Sequence, residues 1–322
     1  MLFLLLASLI WAFSFGLIDR TLDGVPASFL ACARLTLAAC VFLPFLRRMP
    51  ARQTLLLLLI GAVQFGLMYI CYNESFVYLQ AHEVALCTVF TPVYVLLLHD
   101  ARHRRMSGRA LLAALLAVAG AGIVLLSGGD RAASWRGFLL VQGSNLCFAL
   151  GQLAYREWAQ GPDRPNDGAA MGWLYLGGMA ATLPWAMAVV PGGAVALSGR
   201  QMEAVVYLGV IASGLGFFLW NAGARRTSAG VLAVFNNLKI PLAAVVSLLV
   251  FGGKANPAHL LVGGLLFIAA TWICQRPENR GPKSEVSNRG ASSEGRPMSL
   301  SRCKAGRSVI GGSPGADIER RS

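Results

Sequence analysis

Charge is what this chain has least of. Of its 322 residues only 13% are charged, against 56% hydrophobic, and mean hydropathy is +0.58. A soluble domain carries about 25% charged residues, so water is excluded as the solvent for most of the surface. The alternating ~10-residue segments of a spanning β-barrel are missing. No C-x-x-C pair occurs among Cys32, Cys40, Cys71, Cys87, Cys147, Cys274 and Cys303. All but Cys303 fall within or at the ends of apolar stretches, and none lies in an expected outer loop, which argues against disulfides and structural zinc. In such helices cysteine serves as a small apolar residue. A phosphate-cradling glycine loop is also missing, which excludes ATP-driven work by this chain alone; "GGDR" at 128–131 reads as a turn. No catalytic constellation, cofactor motif or metal-ligand set is found, and the expectation is a protein that is not an enzyme.

What is present is a series of long apolar runs: 2–19, 27–46, 53–76, 80–99, 110–127, 135–155, 169–190, 201–222, 229–251 and 257–275. A helix needs about 20 mostly apolar residues to cross a ~30 Å hydrocarbon core. The expected fold is an all-α integral membrane protein with ten transmembrane helices. The first run has no basic flank and no small-residue cleavage motif before Asp19, so it is expected to be retained.

The net charge of +13 is distributed unevenly. Corners after even-numbered stretches carry eleven arginines: Arg47, Arg48, Arg52, Arg102, Arg104, Arg105, Arg109, Arg156, Arg164, Arg225 and Arg226. The opposite corners carry five basic residues: Arg20, Arg131, Arg136, Arg200 and Lys254. Basic loops stay on the cytoplasmic side. Both termini are therefore expected in the cytoplasm, with the protein multi-pass in the cytoplasmic (inner) membrane. Residues 276–322 are rich in Gly, Ser, Pro and Arg and are expected to form a disordered basic cytoplasmic tail. Topology and tail account for the basic balance, and no nucleic acid is expected.

The chain is written twice. "YNESFVYLQAHEVALCTVFTP" (72–92) aligns without a gap on "NAGARRTSAGVLAVFNNLKIP" (221–241), at an offset of 149. Pro44 in "FLPF" matches Pro184 in "TLPW". The expected units are 1–127 and 135–275, five helices each. An odd number of spans inverts the second copy, as in many secondary transporters. The corner "SFVYLQ" has no basic residue where its mate "ARRTSA" has two, which agrees with opposite sidedness.

The opening "LLASLIWAFSFGLIDRTLDGVPASFLACARLTLAACVFLPFL" resembles the first helix pair of the EamA-type branch of the drug/metabolite transporter superfamily, through Trp11, Pro26 and Arg34. Ser75 with Pro92, and Ala224 with Pro241, match its later corners. The resemblance covers about 2–275. It implies a central cavity between two five-helix halves and transport of small metabolites, often outward and proton-coupled. The chain departs from the family pattern after the fourth stretch, where Asp100 is the only acid of "LLLHDARHRRM", and after the ninth, where "VFGGKANP" holds a lysine.

Polar groups inside a span are costly and usually face protein or a water-filled cavity. Arg34 and Lys239 are the two basic residues within spans. Pro92 and Pro241 each free a carbonyl four residues back, at Thr88 and Asn237, and interrupted helices at equivalent places mark transporter sites. Lys239 with Asn236 on one face suits a substrate carboxylate or phosphate; the alternatives are pairing with Glu74 or Glu83, or reaching the interface. Arg34 reads as a tether to neighbouring carbonyls or as a substrate ligand. Tyr69, Tyr72 and Trp11 are expected to line the cavity, within a stripe that includes Phe65, Asn73 and Phe76. Gln142, Asn145 and Gln152 share a face suited to bonds between helices. Glu74, Glu83 and His82 are the candidates for a coupling proton, since desolvation favours a protonated carboxyl and histidine titrates near neutrality; solvated interface positions explain them equally. Ala113, Ala117 and Ala121 form a small-residue ridge that suits close packing in the bundle or in a homodimer. The expected function is proton-coupled export of an amino acid or related carboxylate by alternating access. The alternatives are a cationic drug or amine exporter of the same superfamily and, in a different class, a multi-span membrane enzyme or lipid-handling protein.

Overall fold

A computed structural model describes residues 1–102, 131–161, 166–190, 195–224 and 226–227, and singly 108, 112, 235, 236, 238, 239, 242, 246 and 250; the side chains of His82 and residues 131–134 are outside the description. The fifth stretch apart from Leu112, the tenth stretch, the alanine ridge and the tail lie outside the described residues.

The described elements are helices. They are α1 (Leu2–Thr21), α2 (Ala27–Phe42), α3 (Ala51–Gly61), α4 (Met68–Ser75), α5 (Ala81–Cys87), α6 (Thr91–Arg102), α7 (Arg131–Trp158), α8 (Asp167–Val189), α9 (Gly199–Val206) and α10 (Gly216–Ala224). Several join end to end. A π-helical segment, Ala62–Leu67, links α3 to α4, and another, Tyr207–Leu215, links α9 to α10. A 3₁₀ turn, Thr88–Phe90, links α5 to α6. Six of the resulting helices are long and apolar enough to cross a membrane: Leu2–Thr21, Ala27–Phe45, Ala51–Ser75, Glu83–Arg102, Trp135–Trp158 and Gly199–Ala224.

Leucine and alanine, strong helix formers, fill these spans. Several helix starts are set locally. Pro26 and Pro50 precede α2 and α3, the Asn166 side chain accepts from Ala169 N–H at 2.9 Å, and Ser198 with Gln201 forms a capping box on α9.

In the apolar part of each of these six helices, 44–56% of the residues are buried inside the protein. The uncovered faces are as apolar as the covered ones, with Leu55, Leu56 and Leu59 on one helix and Leu139, Leu146 and Leu150 on another. Apolar area of that extent is stable against lipid and not against water. Within the bundle, α1 packs on α10, α2 on α8 and on the second π segment, α3 on α8, and α4 on α7. The α3–α8 contact is tight. A Cβ built on Gly61 would strike the backbone carbonyl of Leu174, and one on Gly177 that of Leu58. Backbones that close exclude any side chain at either position.

Candidate functional site

A cavity opens among α1, α2, α4, α6, α7 and α10. Its walls are aromatic: Trp11, Phe15, Tyr69, Tyr72, Phe148 and Phe217. These rings form a connected set, with Trp11–Phe217 centroids 4.9 Å apart, Phe148–Phe217 5.9 Å and Tyr69–Tyr72 6.2 Å. Two cations, Arg34 and Lys239, also line it, and among the described lining residues there is no acid.

Arg34 is 2% exposed and makes no ion pair with a carboxylate among the described residues. Its Nη2 donates to Tyr69 Oη at 2.9 Å, Nε to Ser213 Oγ at 3.2 Å and Nη1 to Asn73 Oδ1 at 3.4 Å. Its Cζ lies 4.1 Å from the centroid of the Tyr69 ring. The Ser213 hydroxyl donates to Leu208 O at 2.7 Å, an i→i−5 bond that belongs to the π segment. Tyr69 therefore donates to Ser213 Oγ, 2.8 Å away. The sequence pointed to a tether on carbonyls; the partners observed are side-chain oxygens, and the guanidinium reaches the cavity as well. Its positive charge is spread over neutral acceptors and remains uncompensated by any described carboxylate.

Lys239 is 9% exposed. Its Nζ donates to Asn236 Oδ1 at 3.3 Å and sits 5.6 Å from the Trp11 ring centroid. An ammonium has three donors, and Asn236 Nδ2 is buried with no partner among the described residues, so this corner presents spare donors. Trp11 is fixed by its Nε1, which donates to Ala212 O at 3.0 Å. That carbonyl belongs to the π segment, and Gly216 permits the approach, since a Cβ there would lie 2.9 Å from Trp11 Nε1. Asn237 and Pro241 lie outside the described residues.

A third group of lining residues is neutral and polar: Thr88, Thr91, Ser144 and Asn145. It is built around the break before Pro92. Thr91 N–H bonds Thr88 O in the 3₁₀ turn, which leaves Cys87 O without its helical donor. Asn145 supplies one, its Nδ2 lying 2.8 Å from Cys87 O. The same amide donates to Gln142 Oε1 at 3.2 Å, and Asn145 Oδ1 accepts from Thr91 Oγ1 at 3.0 Å. Asn145 thus bonds between helices, as its stripe on α7 indicated, and also faces the cavity. Thr91, Ser144, Ser213 and Phe217 were not singled out from sequence, and of Thr88 only the backbone carbonyl was. The threonines' place within one turn of Pro92 was the available signal.

The three proton candidates are placed apart from this cavity or outside the description. Glu83 Oε2 accepts from Gln80 N–H at 2.9 Å and closes the start of α5. Glu74 is half-buried and lines a second cavity, near Ser28 and Trp185. The His82 side chain is outside the description. Asn221 Nδ2 contacts Met171 Sδ at 3.2 Å.

The family model described as "EamA-like transporter family" matches residues 1–126 and 135–275. The chain belongs to the EamA-like transporter family. It is a membrane-embedded transporter, not an enzyme, and the small-molecule cavity is what such a protein requires. Among curated relatives of this EamA protein is the "Biotin transporter" of Salmonella typhimurium, 37% identical over 282 residues, spanning 85% of this chain and 92% of the relative. The "Probable biotin transporter" of Pseudomonas aeruginosa is 37% identical over 278 residues, with 85% and 96% covered. The "Probable terminal-alkyne amino-acid exporter" of Streptantibioticus cattleyicolor is 28% identical over 295 residues, with 89% and 96% covered. A solved crystal structure shares the fold with a TM-score of 0.63 at 20% identity, covering 84% of this chain and 94% of that one.

Proposed function

We propose that this EamA protein is a secondary carrier that moves biotin, or a carboxylate closely similar to it, through the aromatic cavity by alternating access. The observation that carries this reading is the pair of cations, Arg34 and Lys239, in one cavity with no described acid among its walls. A buried cation left without a counter-charge is costly, and a substrate carboxylate supplies one. Biotin adds an apolar side chain and a fused ring, which suit walls of Trp11, Tyr69, Tyr72 and Phe217. The relatives at 37% identity that are named for biotin support this ligand over an amino acid. A cationic drug fits poorly beside two fixed positive charges.

The same reading places ten helices in two inverted five-helix halves in the cytoplasmic membrane, with both termini in the cytoplasm. Three features support it. Ala62–Leu67, shifted by the sequence offset of 149, falls on 211–216 and overlaps the second π segment, Tyr207–Leu215. Packing is crossed as a two-fold repeat requires: α1 on α10 and α7 on α4. The family model matches once in each half. Export coupled to an inward proton is the direction the family resemblance implies, and Glu74, half-buried at its own cavity, is the proposed proton carrier.

The test is uptake of labelled biotin by proteoliposomes, with and without a pH gradient in either direction. Wild type should transport, and Lys239→Ala should lose at least tenfold, the worth of one charge-assisted bond at about 1.5–3 kcal/mol. Transport unchanged in Lys239→Ala would remove the lysine from the site.

A further inference from the structure

The break in the α5–α6 helix holds a set of hydrogen-bond acceptors that the carboxylate does not use. Asn145 Nδ2 is engaged by Cys87 O and Gln142 Oε1. The Thr91 hydroxyl hydrogen is shared between Thr88 O at 2.8 Å and Asn145 Oδ1 at 3.0 Å. Thr88 Oγ1 donates to Ala85 O at 2.8 Å. Each of these donors is engaged by an acceptor of the protein. What remains is lone pairs: two on Thr91 Oγ1, two on Thr88 Oγ1 and one on Asn145 Oδ1. All three residues line the cavity. Ser144, 4% exposed on the same wall, carries a rotatable hydroxyl able to donate or accept.

A wall of acceptors calls for a ligand with N–H or O–H donors. An ammonium would serve geometrically, but the cavity already contains two cations and no described acid, so a third positive charge is opposed by Coulomb repulsion in a low-dielectric site. A neutral donor meets no such opposition. The geometry points to Thr88, Thr91 and Asn145 as a specificity subsite that reads paired neutral N–H donors at the end of the substrate remote from its carboxylate, as a cyclic urea presents them, with Ser144 positioned to donate to the urea carbonyl. This inference rests on the proposed reading of the cavity as a carboxylate carrier and adds the feature that distinguishes one apolar carboxylate from another. Sites that hydrogen-bond a substrate group reject analogues lacking it far more strongly than apolar pockets reject a change in size, because the site's buried polar atoms are then left unpaired.

The experiment compares biotin with lipoate, which carries the same pentanoate on a ring without N–H groups. Both compete for labelled biotin in proteoliposomes bearing the full chain. The wild type should prefer biotin over lipoate by at least tenfold. Thr91→Val keeps the shape and removes the hydroxyl oxygen, and Ser144→Ala removes the hydroxyl; each should reduce that preference by about tenfold. A structural lesion would weaken both ligands in parallel and leave the ratio unchanged. An unchanged ratio in both variants overturns the subsite and leaves the carboxylate reading standing. A wild type that prefers neither ligand also overturns the subsite, while wild-type liposomes that transport no biotin overturn both readings together.

Discussion

Arg34 illustrates how one residue can hold the bundle and face the substrate together. Its three nitrogens each donate, to Tyr69, Ser213 and Asn73 from two separate helices, and its Cζ lies over the Tyr69 ring. A lysine cannot reproduce the fork. Arg34→Lys should therefore lose about 1.5–3 kcal/mol of stability, read as a lowered Tm in detergent, with biotin transport reduced in parallel. An unchanged Tm would show that the fork contributes nothing to the bundle. Arg34 and Lys239 were legible in the sequence because a charge inside an apolar span has few explanations. Ser213 and Thr91 were not. Serine and threonine in helices commonly bond the carbonyl three or four residues back, and only coordinates separate those that also face a cavity.

Interruptions organise the elements. The π segments and the 3₁₀ turn free backbone carbonyls, and side chains from other helices meet them: Trp11 on Ala212 O, Tyr175 on Ser213 O at 2.6 Å and on Gly214 O at 3.0 Å, and Asn145 on Cys87 O. The break near Pro92 was legible, because proline's missing N–H is written in the sequence. The π segments were not, since "AVQFGL" and "YLGVIASGL" carry no composition that sets them apart from an ordinary helix. Close packing between elements gives a direct test. Gly61→Ala places a methyl against the Leu174 carbonyl. It should cost about 1–3 kcal/mol by overpacking, seen as a lower Tm and a smaller yield of monodisperse protein. Gly199→Ala, where a Cβ meets nothing within 4 Å, should leave both unchanged. Equal behaviour of the two variants would contradict the tight α3–α8 contact.

At the scale of the whole molecule, sidedness follows from where arginine is allowed. The corner at 76–80 carries none, while the matching segment 225–229 begins with Arg225 and Arg226. A reporter inserted near residue 78 should read periplasmic and one near residue 226 cytoplasmic, with both termini cytoplasmic; two corners on one side would contradict the inverted repeat. The membrane class and the transporter family were legible because apolar length and charge asymmetry act along the chain. The ligand was not. The sequence suggested an amino acid or related carboxylate, since a lysine in a span signals negative charge without specifying what is attached to it. The substrate's carboxylate is the central claim, and it can be isolated chemically. Biotin and biotin methyl ester differ only in that group, so the direct measurement is their competition against labelled biotin in wild-type proteoliposomes. The account predicts that the ester competes at least tenfold more weakly than the acid. Equal competition would mean that Arg34 and Lys239 do not read the carboxylate, and the proposed site would fall.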